Sequence, residues 1–284
     1  MSLHKLFLAP SLLALVLLLS CGEGGKGESE KSEEISTNQT EQDSKSQTRL
    51  GISVEEWIAE NGPDPSTPWG VSELNRAIQV IQSIRRTGTH GLPRLGGNGT
   101  GKEIFARIIS EENLHQLTPD SASLEEKMGP LGQFMTVETQ IYMVYAGAMM
   151  GGEGYTDEMI ELMSFLLTTE SEFMEILQAY LKTVTPEQRE TESFKTGMKQ
   201  VQDGLTQSLE GMITVLRDKG VFSQAQLERL ATSLQTLGPP LVAGLDESYQ
   251  QQLQGKAVLT LEATDNEKIA QALHAVFPNI EAAK

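Results

Sequence analysis

An all-α, multi-helix bundle is the fold this chain predicts from residue 50 onward, and three observations predict it. Apolar residues recur at three- and four-residue spacing along most of the region, the period of helices that each bury one face. Sequences of the form Ser/Thr-x-x-Glu/Gln, which tie down the first turn of a helix, stand in front of several of these runs. Short Gly- and Pro-rich breaks separate them. Roughly eight helices joined by short loops make a bundle. No repeat at a fixed period of about 20–50 residues points to a solenoid.

The elements follow in order. Ser53 and Glu56 form a capping box before a short helix carrying Trp57 and Ile58. The prolines and glycines of residues 61–70 make a loop. Leu74, Ala77, Ile78, Ile81 and Ile84 then give one apolar stripe, ending near Arg86. After a second glycine-rich loop, Ile104, Phe105, Ile108 and Ile109 begin another helix. Residues 128–152 hold a single charge, Glu138, and predict a central core helix. Thr156 caps the next, in which Met159, Leu166, Phe173 and Tyr180 fall seven apart. Thr185, Pro186 and Gln188 open a long helix that runs to Gly220. Ser223 and Gln226 open another, which Gly238-Pro239-Pro240 breaks. Leu241, Val242, Leu245, Tyr249 and Leu253 make a further helix. Residues 256–263 fit a short strand or an extended connection, and Thr264 with Glu267 caps the last helix, through Ile269, Leu273 and Val276.

The second loop contains most of a phosphate-binding motif: Gly96, four residues, then Gly101 and Lys102. Three parts of its context are missing. No strand precedes it, Glu103 stands where Ser or Thr would hold Mg²⁺, and no sheet follows. Thr100 and Glu103 instead fit a capping box, so the loop predicts a helix start and no nucleotide.

The first residues carry an address. Lys5 precedes an apolar run from Leu6 to Leu19, shorter than the ~20 residues that span a bilayer and flanked like an export signal. Leu18-Leu19-Ser20-Cys21 resembles the lipobox of bacterial lipoproteins. The resemblance implies a diacylglycerol on the Cys21 thiol, cleavage before Cys21, and a lipid anchor in the membrane of the cell envelope. Gly22 rather than Asp follows the cysteine, which by the same resemblance favours the outer membrane and leaves open the periplasmic or the surface face. Cys21 is the only cysteine, so no intramolecular disulfide forms and a hydrophobic core must supply stability. The expected division is a signal peptide over 1–20, the lipidated cysteine with an acidic, disordered tether over 21–49, and a helical domain over 50–284. The tether composition cannot offset the entropy of ordering, and its reach is on the order of 30 Å.

Losing Lys5 with the leader takes the formal net charge from −17 to −18. That balance disfavours nucleic acid and anionic lipid surfaces. Glu138 falls on the arc of Phe134, Ile141 and Tyr145, and a buried carboxyl must find a partner or stay protonated. Two readings stand: a structural ion pair or hydrogen bond, with an Arg of the N-terminal helices as partner, or the floor of a pocket for a small apolar or cationic ligand. Gly197, Gly204 and Gly211, spaced by sevens, mark either a close helix contact or a groove for a partner helix. Glu112 and His115 give one Glu-x-x-His where a di-iron bundle needs two. Methionines 143, 149, 150, 159 and 163 sit at core spacing, so neither metal nor cofactor is expected. The functional expectation is a non-enzymatic, lipid-anchored binding or scaffold module for a protein or envelope component. The pocket protein is the alternative, and a hydrolase built on carboxylates is the third reading.

Overall fold

The computed structural model describes residues 60–87, 91–97 and 99–281. The expected signal peptide, Cys21, the expected tether and the Ser53–Ile58 segment lie outside them. Among the described residues are ten helices and no strand: α1 Val71–Thr87, α2 Thr100–Ile108, α3 Glu111–Leu117, α4 Leu124–Met150, α5 Thr156–Leu181, α6 Pro186–Arg189, α7 Glu192–Val215, α8 Gln224–Ala243, α9 Glu247–Ala263 and α10 Glu267–Val276. The all-α bundle is therefore the architecture.

Helix α5 is its axis. It packs on α4 along one side and on α8 along the other. Having neighbours on both flanks, it buries residues all around its circumference, from Met159 to Leu177. Beyond α4 lie α1 and α3; beyond α8 lies α10; α7 pairs with α9. Polar rungs zip these pairs at their rims. Between α5 and α8, Gln226 donates to the Thr156 hydroxyl at 2.9 Å, Arg229 reaches Glu161 at 2.9 Å, and Ser233 reaches Ser164 at 3.0 Å. Between α7 and α9, the Tyr249 hydroxyl donates to Asp203 at 2.7 Å and Thr260 to the Ile213 carbonyl at 3.2 Å.

Several helix ends differ from the sequence expectation. Residues 256–263 belong to α9: Leu253, Ala257 and Thr260 are its buried positions, a spacing of four and three that only a helix presents to one side. Helix α8 runs through Gly238-Pro239-Pro240 without breaking. Each proline deprives the carbonyl four residues earlier of its N–H. Those carbonyls belong to Gln235 and Thr236, which are exposed, so solvent replaces the lost bonds. Gly238 holds the segment in place, because a Cβ there would lie 2.8 Å from Val276 Cγ2 on α10. The long helix expected after Thr185 is two. The Thr185–Gln188 capping box starts only the short α6, and Thr191 caps α7 afresh by accepting from the Phe194 N–H. The Ser223–Gln226 box forms as expected, and Ser123 with Glu126 makes one more, opening α4.

Three expected caps shift by a residue or two. Asn266 rather than Thr264 caps α10, its side chain accepting from the N–H groups of Lys268 and Ile269. Gly99, at φ 71°, takes the cap position of α2 and has no side chain to offer, so Thr100 falls inside the first turn rather than at the cap. Tyr155, not Thr156, stands before α5, in the left-handed region at φ 60°. That conformation is costly for a bulky residue, and its side chain is held from three directions. Its hydroxyl accepts the Leu92 N–H at 2.7 Å, the Arg94 guanidinium lies 4.0 Å over its ring, and Tyr145 meets it edge-on at 5.5 Å. Glu158 accepts from the Leu95 N–H, and the Tyr145 hydroxyl donates to the Pro93 carbonyl, both at 2.7 Å. Residues 91–97 are thus strapped to the α4–α5 corner. The segment leading into the glycine-rich loop, Leu92 to Leu95, has its backbone polar groups committed to the α4–α5 corner.

A candidate site around two buried glutamates

Helix α4 turns Glu138 inward with Phe134, Ile141 and Tyr145, and all four are buried. Glu138 is 1% exposed. Neither carboxyl oxygen finds a hydrogen-bond partner among the described residues. The expected arginine does not reach it: Arg76 donates to the Asn61 carbonyl, Arg94 to the Glu153 carbonyl, and Arg107 to the Pro65 carbonyl and Glu112. What stands beside it instead is a second carboxyl, that of Glu170 on α5, fully buried and equally without partners.

The electrostatics follow from burial. Desolvation pushes the Glu138 carboxyl well above the ordinary 4.5. The neighbouring Thr169 hydroxyl opposes that shift, and the charge of Glu170 adds to it. The Thr169 proton is given to the Phe165 carbonyl at 3.1 Å, so this hydroxyl does not satisfy the carboxyl. Burial raises Glu170 to about 8, partly offset by the Ser208 hydroxyl of α7. That hydroxyl makes no aligned hydrogen bond. At neutral pH both carboxyls are therefore held protonated, a neutral pair at the meeting of α4, α5 and α7. A neutral pair attracts a cation weakly. Sealed from solvent, it has no route to a substrate or a water nucleophile.

The other candidate residues are dispersed. Gly204 is buried on α7, four residues before Ser208, while Gly197 and Gly211 are half-buried. A Cβ at Gly211 would meet nothing within 4 Å, so no close helix approach demands glycine there. Glu112 and His115 are exposed on α3. Met149, Met159 and Met163 are buried in the core, but Met143 and Met150 are each 40% exposed. No group of three His, Cys, Asp or Glu side chains able to hold a metal occurs among the described residues. Nor is any described helix long and apolar enough to cross a membrane. A cleft of about 410 Å³ lies elsewhere, between the α7–α8 loop and the α9–α10 connection, and neither glutamate lines it.

With Glu138 turned inward, the outer surface of α4 carries no formal charge from Gly129 to Met150, roughly 33 Å of helix. Met143, Gly147 and Met150 lie along it at helical spacing, and a Cβ at Gly147 would meet nothing within 4 Å. Met143 and Met150 are two of the three large apolar side chains exposed among the described residues; Leu259 on α9 is the third.

The fold and these features define an all-α helical bundle. No family model, curated protein or solved structure matches the chain.

Proposed function

We propose that this protein is a lipid-anchored, non-enzymatic binding module of the bacterial cell envelope, held to the outer membrane through Cys21, which docks a protein partner on the outer face of α4. The observation that carries the reading is that uncharged face with its exposed methionines. In a chain with 39 acidic and 22 basic residues, a surface helix this long without a charge is a distinct patch. Flexible methionine side chains adapt to the shape of a partner, and an uncharged centre is what a buried interface requires. The acidic remainder repels nucleic acid and helps keep copies apart.

Two measurements on the full chain in intact cells test this. A photo-crosslinking residue at position 143 should capture a discrete partner that the same residue at exposed Thr232 does not. Met150→Glu should abolish the capture while leaving the helical content intact. Equal capture from both positions would remove α4 as the docking face. Palmitate labelling should be lost in Cys21→Ala, and persistent labelling would remove the anchor.

A further inference from the structure

We propose that the cleft between the α7–α8 loop and the α9–α10 connection binds a small amphipathic anion, a single phosphate or carboxylate head on a short apolar body. Its volume of about 410 Å³ is within the range of small-molecule sites. Leu216, Phe222, Leu227 and Ile269 form an apolar floor. Arg217 and Lys219 stand at its wall. Neither makes an ion pair or a side-chain hydrogen bond with any described residue.

That idleness is informative. Acidic residues outnumber basic ones 39 to 22, so partners are plentiful. Bases on the adjoining helices α8 and α10 have found theirs: Arg229 bridges Asp157 and Glu161, and Lys268, just beyond the cleft, pairs with Glu228 at 2.6 Å. Two carboxylates also line the cleft, Asp218 and Asp265. Asp218 is occupied with the loop itself, one oxygen accepting from the N–H groups of Gly220, Val221 and Phe222 at 2.9, 2.6 and 3.2 Å. It fixes the turn that carries both cations past the end of α7. Asp265 lies exposed on the opposite wall. The cleft therefore offers cationic donors on one side and apolar surface beneath. An anionic head satisfies Arg217 and Lys219 through charge-assisted hydrogen bonds, and a short hydrocarbon or ring covers the floor.

The test uses octyl phosphate below its micelle concentration, titrated calorimetrically into the full chain, with octyl glucoside and inorganic phosphate as controls. Octyl phosphate should bind saturably with one site, at least tenfold tighter than either control. Arg217→Gln with Lys219→Gln should weaken it at least tenfold. Ala263→Phe, which narrows the cleft without touching a charge, should weaken it too, with unchanged circular dichroism in both variants. No saturable binding, equal binding of octyl glucoside, or undiminished binding by either folded variant would overturn the proposal.

Discussion

Glu170→Gln is expected to stabilise the protein by a few kcal/mol at pH 8 and by progressively less as the pH is lowered to 5. The Glu170 carboxyl titrates near 8 in the fold against an ordinary 4.5. Between those values the folded state holds a proton that the unfolded chain has released. Stability therefore falls as pH rises across that window. The contribution is fully present below about 4.5 and is lost as pH rises through about 8. Each tenfold difference in proton affinity is worth about 1.4 kcal/mol, so a few kcal/mol are at stake. Glutamine keeps the shape and removes the charge. Glu138→Gln should act in the same direction, and at pH 7, where each carboxyl is neutral beside the other, the double variant should gain close to the sum of the two. Urea midpoints for the wild type and the three variants at pH 5, 7 and 8.5 measure all of this. A Glu170→Gln variant less stable than wild type at pH 8 would show that a cation or an uncounted donor pairs with the carboxylate.

Half of this pair was legible in the sequence. Glu138 declared itself as the single charge in an apolar helix. Glu170 did not, because α5 is dotted with acids: Asp157, Glu158, Glu161, Glu172 and Glu175 surround it. The signal was there in the stripe Met163, Leu167, Glu170, Met174 and Leu177, spaced by fours and threes, in which Glu170 replaces an apolar residue. What hid it was tertiary. A helix with a partner on each side buries positions that a one-sided helix exposes, and no single helix states how many neighbours it has. The same limit accounts for the helix ends. Ser223 with Gln226 is a local, reciprocal pair and was readable. Tyr155 in a left-handed conformation depends on Leu92 and Arg94, about sixty residues earlier in the chain. Helix α8 crosses two prolines because its freed carbonyls face water and Gly238 fits against Val276, neither of which local propensity encodes. The charge-free face of α4 was present in the composition, but only the inward turn of Glu138 makes it a face.

Trp69→Ala should cost about 3–5 kcal/mol, the range for emptying a buried aromatic site. Trp69 is completely buried where the loop before α1 meets α2 and α3. Its indole N–H donates to the Asp64 carbonyl and its backbone N–H to the Asn113 side chain, both at 2.7 Å. Asn113, also fully buried, donates in turn to the Arg107 carbonyl at 2.6 Å. Asn113→Ala leaves the Trp69 N–H without a partner, while the Arg107 carbonyl keeps the Ser110 N–H at 3.3 Å, and should cost about 1–3 kcal/mol if the Trp69 N–H stays dry. Trp69→Phe keeps most of the apolar burial, loses the indole donor and should fall between wild type and Trp69→Ala. Urea unfolding followed by far-ultraviolet circular dichroism ranks the three. A loss under about 1 kcal/mol for Trp69→Ala would show that this corner folds independently of the core. The ranking also bears on the docking face. Helices α1 and α3 pack on α4 beside its α5 interface, so they support the helix that carries Met143 and Met150. Asn113→Ala, at temperatures where its circular dichroism is still that of the native protein, should leave crosslinking from position 143 intact. Loss of capture under those conditions would mean that the docking face depends on the exact seating of α4, and that Asn113 acts on the partner through it.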